Sequence, residues 1–184
     1  EGWIAGLQLA ALALQEGHAD AGTFVDDFAG DDRHVFDYLV AEVLQRQPEA
    51  TRDFLRQTAI LDRMTVSLCN AITGREDGRA TLDRLESANL VISLDNRREW
   101  YRYHRLFASV LRATLSDEEM QTLHRAASRW FEAQGLMSQA IRHALASEEY
   151  DTAERLICLV AEEIMQGGNI LTVRHWLDAL PDER

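Results

Sequence analysis

Apolar positions along the chain recur mostly at helical spacing. Residues 3 to 14, WIAGLQLAALAL, are apolar almost all round, which predicts a buried helix stopping near Gly17. GHADAGTFVDDFAGDD then reads as a connector rich in Gly and Asp, with Asp31 or Asp32 placed to cap the next helix. That helix carries Val35, Phe36, Leu39, Val40, Val43 and Leu44 and ends before Pro48. Beyond it Phe54, Leu55, Thr58 and Leu61 share one face, with Pro48 suited to the first turn. Thr65 is placed to cap a short helix bearing Val66, Leu68, Cys69 and Ile72, stopped by Gly74. A further helix runs to about Asn89 with Leu82 and Leu85 inward.

The period then changes. VISL, a polar DNRRE and WYRYH read as two strands around a turn, with Tyr101 and Tyr103 buried. Three short helices followed by a hairpin is the order of a winged helix. Leu106, Phe107, Val110 and Leu111 mark the helix that follows. Ser116 to Glu119, SDEE, is a capping box opening a stripe of Met120, Leu123, Ala127 and Trp130. Helices over 138–146 and 150–166 come next, then GG at 167–168 and an amphipathic LTVRHWLDALP. A 34-residue shift aligns Leu123 with Ile157, Ala127 with Ala161 and Trp130 with Ile164, the period of tetratricopeptide-type hairpins. The expected fold is mainly α: a helical segment over 1–46, a winged-helix domain with a small β-hairpin over 47–115, and the start of a TPR-like helical-repeat array over 116–184.

Charge refines this picture. The net charge is −12, but residues 46–115 hold twelve Arg against nine acids, while the flanks are acidic. Arg75, Arg79 and Arg84 near the third of the short helices, with Arg97, Arg98 and Arg102 on the hairpin, raise the possibility of DNA contact. A field this thin between acidic flanks favours a solvated or domain-contacting face instead, with Asp83, Glu86 and Glu99 as local partners. All 19 cationic side chains are Arg. Without lysine there is no G-x-x-x-x-G-K-[ST] phosphate loop and no Schiff base. H-E-x-x-H, G-x-S-x-G and zinc spacings are also missing, so the chain is expected not to be an enzyme by itself, with no catalytic and no metal-binding residue. Cys69 and Cys158 read as buried free thiols of a reducing compartment. The scattered histidines, His124 and His143 among them, read as structural, and the tryptophans as core or interface anchors, with an apolar patch expected near Trp176, Leu177 and Leu180. No segment is long and apolar enough for a membrane span, and no signal peptide is evident. The start in mid-pattern suggests a piece of something longer.

FAGDDRHVFDYLVAEVLQ, FLRQTAILDRM, LDRLESANLVISLD, WYRYHRLFASVLRATL and RWFEAQGLMSQAIRHAL, in that order, resemble large ATP-dependent LuxR-family transcriptional regulators of the MalT-like type. The resemblance covers nearly the whole chain. It implies a cytoplasmic regulator in which a nucleotide-binding domain precedes this piece and a LuxR helix-turn-helix follows it. This piece would be the regulatory centre, coupling nucleotide state and effector binding to transcription activation. Its implied partners are its own NTPase domain, the C-terminal helix-turn-helix, an effector on the helical repeats and promoter DNA through the missing domain, with no membrane. No cofactor belongs to the fragment; the full-length protein would bind ATP or ADP and could be a slow ATPase. The family belongs with the signal-transduction ATPases that include NB-ARC proteins. Gly6-Leu7-Gln8-Leu9-Ala10 resembles their G-L-P-L-A motif, and Gln8 stands at the proline that lines the adenine site. Tyr103-His104-Arg105-Leu106 resembles M-H-D-L, whose histidine reaches the β-phosphate of ADP. His104 matches, and Arg105 reverses the charge of the usual Asp. Two other readings compete: a helical-repeat interaction scaffold with no nucleotide link, and a winged helix that binds DNA directly.

Overall fold

The computed structural model describes residues 44–181. The helices expected over 3–14 and 32–47 fall largely outside them, as does Gln8. The chain divides into two compact units, the first ending at Leu115 and the second beginning at Ser116.

In the first unit, α1 (Glu49–Thr58), α2 (Val66–Thr73) and α3 (Gly78–Ser87) precede a hairpin of β1 (Val91–Ser93) and β2 (Tyr101–Tyr103), and α4 (Arg105–Ala113) closes the unit. Pro48 takes the cap position ahead of α1, and its carbonyl accepts from the amides of Thr51 and Arg52. The Thr65 hydroxyl accepts from the Leu68 amide at 3.1 Å, and Gly74, at φ 66°, terminates α2 in the left-handed conformation. α3 begins on a borrowed cap: the Asn70 side chain on α2 accepts from the Gly78 amide, and a Cβ at Gly78 would strike that oxygen.

The strands are antiparallel, with Val91 opposite Tyr103 and Ser93 opposite Tyr101. Asp95 closes the turn by accepting from the amides of Arg97, Glu99 and Trp100, and those amides hold its carboxyl below the usual carboxylate range. Tyr101 also pairs with Met64, exchanging two 2.8 Å backbone bonds, so the loop after α1 forms a third short rung. Phe54, Leu55, Leu61, Met64, Leu68, Leu82, Leu85, Tyr101, Phe107 and Leu111 fill the core. This is a winged-helix order with its apolar faces turned inward. Burial pushes the Cys69 thiol up to about 12, so it sits there as an inert apolar side chain.

The second unit consists of α5 (Asp117–Ala133), α6 (Met137–Ala146), α7 (Tyr150–Gln166) and α8 (Ile170–Asp178). The capping box is formed: Glu119 donates its amide to the Ser116 hydroxyl, and its carboxylate accepts from the Ser116 amide. Ser116→Ala removes half of this exchange and should cost about 1 kcal/mol, read as a lowered urea midpoint; an unchanged midpoint would show that the acidic first turn suffices.

The four helices make two hairpins whose helices start 33 residues apart, Asp117 to Tyr150 and Met137 to Ile170. At that shift buried positions coincide: Ala127 with Val160, Ala140 with Val173, His143 with Trp176. The 34-residue alignment is therefore one residue too long. It matched hydrophobic character along α5 and α7 without seeing which residues point inward. Cys158 also departs from expectation. It is exposed, because the unbroken apolar run Leu156 to Val160 on α7 buries Leu156, Ile157 and Val160 and turns the two residues between them outward. Trp176 is buried rather than left open, whereas Leu159, Met165, Ile170, Leu171 and Leu177 are exposed on α7 and α8. Among the described residues no helix is long and apolar enough to cross a membrane.

Candidate functional site

The site is the junction of β2 and α4. Strand alternation puts Tyr101 and Tyr103 inward and Arg102 outward. Each tyrosine ties its hydroxyl to a different element. The Thr58 hydroxyl donates to the Phe54 carbonyl at 2.7 Å, which leaves its oxygen to accept from Tyr103 at 2.6 Å. Desolvation raises the Tyr103 phenol far above its ordinary range, so it stays protonated and a donor. The Tyr101 hydroxyl accepts from Arg79 at 2.9 Å. Tyr103 also meets Phe107 edge to face at 5.9 Å, locking the strand to the first turn of α4. The end of β2 is thus held from two sides, and the next residue is held with it.

That residue is His104. It caps α4 through its backbone, whose carbonyl accepts from Ala108 at 2.9 Å, and its side chain takes no part in the cap. The ring is half-buried and bonds to none of the described residues. Burial, then the charge of Arg102, lowers its proton affinity. The imidazole is therefore mainly neutral at pH 7, able to donate from one nitrogen and accept at the other.

A cleft of about 290 Å³ opens beside the junction. Tyr103 and Arg105, on either side of His104, line it, and His104 does not. The histidine fits a phosphate contact by its position at a helix N-terminus and its uncommitted ring, but it is not aimed into this cleft. Gln8, the other position that the family resemblance singled out, lies outside the described residues.

The arginines sort into two groups. Arg75 forms a bidentate pair with Asp77, whose carboxyl it holds down at about 2, and also donates to the Ala50 carbonyl. Arg79 bonds the Arg98 carbonyl and Tyr101, Arg84 bonds Ala80 and Thr81, and Arg98 meets Glu86 at 3.4 Å. The cations of α3 and its surroundings are thus spent on holding the fold together. Arg97 and Arg102 carry no such side-chain bonds among the described residues.

In the second unit the structure brings together two histidines that the sequence left scattered. His124 and His143 face each other with Nδ1 atoms 2.7 Å apart, so one ring donates and the other accepts. His143 is buried and stacks on Phe131, with centroids 5.2 Å apart and planes 14° from parallel.

The described residues thus form a winged-helix unit and, after it in the chain, two helical hairpins. Residues 40–124 match the MalT winged helix domain family. The chain is 40% identical over 185 aligned residues to the HTH-type transcriptional regulator MalT of Klebsiella pneumoniae, an alignment covering 98% of this chain and 20% of that protein. These matches support a fragment of a MalT-like transcriptional regulator, and the chain spans about a fifth of the length of the curated relative it matches.

Proposed function

We propose that this chain is the regulatory centre of a cytoplasmic MalT-like regulator, relaying nucleotide state and effector binding to transcription activation. In this reading residues 47–115 close over ADP held by an NTPase domain, and residues 116–184 begin the repeats that take the effector. Promoter DNA is contacted by a separate helix-turn-helix. The supporting observation is His104: a ring with no partner among the described residues, at the N-terminus of α4, on a strand end pinned by Tyr101 and Tyr103. A neutral imidazole donating to a β-phosphate, backed by the positive helix end, favours the closed and inactive state.

In the intact regulator, His104→Ala should weaken ADP retention by about tenfold, the value of one charge-assisted hydrogen bond, and should raise effector-free transcription. Equilibrium dialysis with labelled ADP and a reporter assay measure the two. Unchanged ADP affinity together with unchanged basal output overturns the nucleotide role. A phosphate against the ring favours its protonated form, so the part of ADP affinity that depends on His104 falls as pH rises.

The scaffold reading has its own support in the exposed Leu159, Met165, Ile170, Leu171 and Leu177 of α7 and α8. Direct DNA reading by α3 is disfavoured, because Arg75, Arg79 and Arg84 are already engaged within the unit.

A further inference from the structure

The cleft beside β2 and α4 has a composition of its own. Among the described residues Arg63 from the loop after α1, Arg102 from β2, and Arg105 and Arg112 from α4 line it, against one carboxylate, Asp62. Leu61, Leu94, Tyr103 and Ala108 supply the remaining wall. Arg112 is fastened: its Nε donates to the Ala59 carbonyl at 2.9 Å and its guanidinium lies 3.8 Å from Asp62. Arg63, Arg102 and Arg105 are exposed and pair with no carboxylate among the described residues. In a chain of net charge −12, three arginines that converge on one concavity with no carboxylate partner among the described residues require an account.

Like charges brought together on a fixed frame repel, and a partly apolar wall strengthens that repulsion by excluding water. A ligand with several negative charges on adjacent oxygens relieves it. We infer that the cleft between the α1–α2 loop, the hairpin and α4 binds a small phosphate-bearing ligand through Arg63, Arg102, Arg105 and Arg112. The guanidinium fork donates to two phosphate oxygens at once, and the forks come from three elements, so they surround a compact group rather than track an extended backbone. A cleft of about 290 Å³ suits a diphosphate with part of its carrier. This inference does not rest on the ADP reading, because His104 lies outside the cleft lining.

The test is calorimetric titration of the 184-residue chain with inorganic pyrophosphate at physiological salt, repeated with ADP and with an oligoglutamate peptide. Saturable pyrophosphate binding is expected, weakened at least about tenfold by the double substitution Arg102→Ala/Arg105→Ala, each charge-assisted contact being worth about a factor of ten. Arg102→Lys/Arg105→Lys, which keeps the charge and loses the fork, should recover part of the loss. Arg97→Ala, an exposed hairpin arginine outside the cleft, should change nothing, and circular dichroism melts check that all variants fold. His104→Gln should leave pyrophosphate affinity within about twofold, so failure of the ADP reading leaves this one standing. Equal affinity for ADP and pyrophosphate assigns the site to phosphate groups alone, and tighter ADP assigns it to a nucleotide. The inference is overturned by absence of saturable binding, by equal weakening from Arg97→Ala, or by oligoglutamate binding more tightly than pyrophosphate.

Discussion

Phe107→Ala lowers the stability of the winged-helix unit by about 3–5 kcal/mol, a large share of the roughly 5–15 kcal/mol that holds an ordinary domain folded. Phe107 is fully buried on the inner face of α4, with Val110 and Leu111 alongside. Its ring edge packs against Tyr103, which is tied in turn to Thr58 on α1. Truncation therefore leaves a void bordered by groups that cannot move in to fill it: the Tyr103 phenol would give up its bond to Thr58 by doing so. Urea unfolding followed by tryptophan fluorescence reads the loss. Phe107→Leu, which keeps most of the volume, should recover more than half of it. A loss below about 1 kcal/mol for the alanine variant would mean that the α4–β2 contact is peripheral and that His104 is not rigidly positioned.

That rigidity was legible only in part from the chain itself. The elements whose signals are local came through: Thr65 and Gly74 bounding α2, the Ser116–Glu119 box, and the inward tyrosines of WYRYH. Each depends on a few neighbouring residues and a fixed spacing. The rung between Met64 and Tyr101 did not come through, because a single bridged residue has no period to detect. Cys158 and the one-residue error in the repeat have a common cause. Where an entire turn of helix is apolar, hydrophobicity no longer marks the inward face, and packing geometry alone decides it. The candidate site shows the same division. His104 stood out by its place between strand and helix. The cleft beside it did not, since Arg63, Leu94, Arg102 and Arg112 are brought together only by the fold. Nor did charge counting show which arginines are spent: Arg79 and Arg102 look alike in sequence, yet among the described residues one bonds two groups of its own unit and the other none.

The second unit supplies the other large effect. Phe131→Ala should cost about 3–5 kcal/mol and should do more than open a cavity. Phe131 is buried on α5, meets Trp130 edge to face at 5.2 Å and stacks against His143 on α6. The α5–α6 spacing is fixed nearby by the Ser128 hydroxyl, which donates to the Ala140 carbonyl at 2.9 Å, so the helices cannot close over the gap. The Phe131 ring also sets the plane of the His143 imidazole, and that plane decides whether Nδ1 meets His124 at 2.7 Å. In the second hairpin the equivalent positions, 33 residues on, are Ile157 and Trp176, an apolar pair that needs no such alignment. A double-mutant cycle of Phe131→Ala with His124→Ala separates the two roles. If the phenyl ring orients the histidine pair, the two losses overlap by roughly 0.5–3 kcal/mol. Losses that add to within about 0.5 kcal/mol would confine Phe131 to filling space and leave the histidine bond to be set by the α5 and α6 backbones alone.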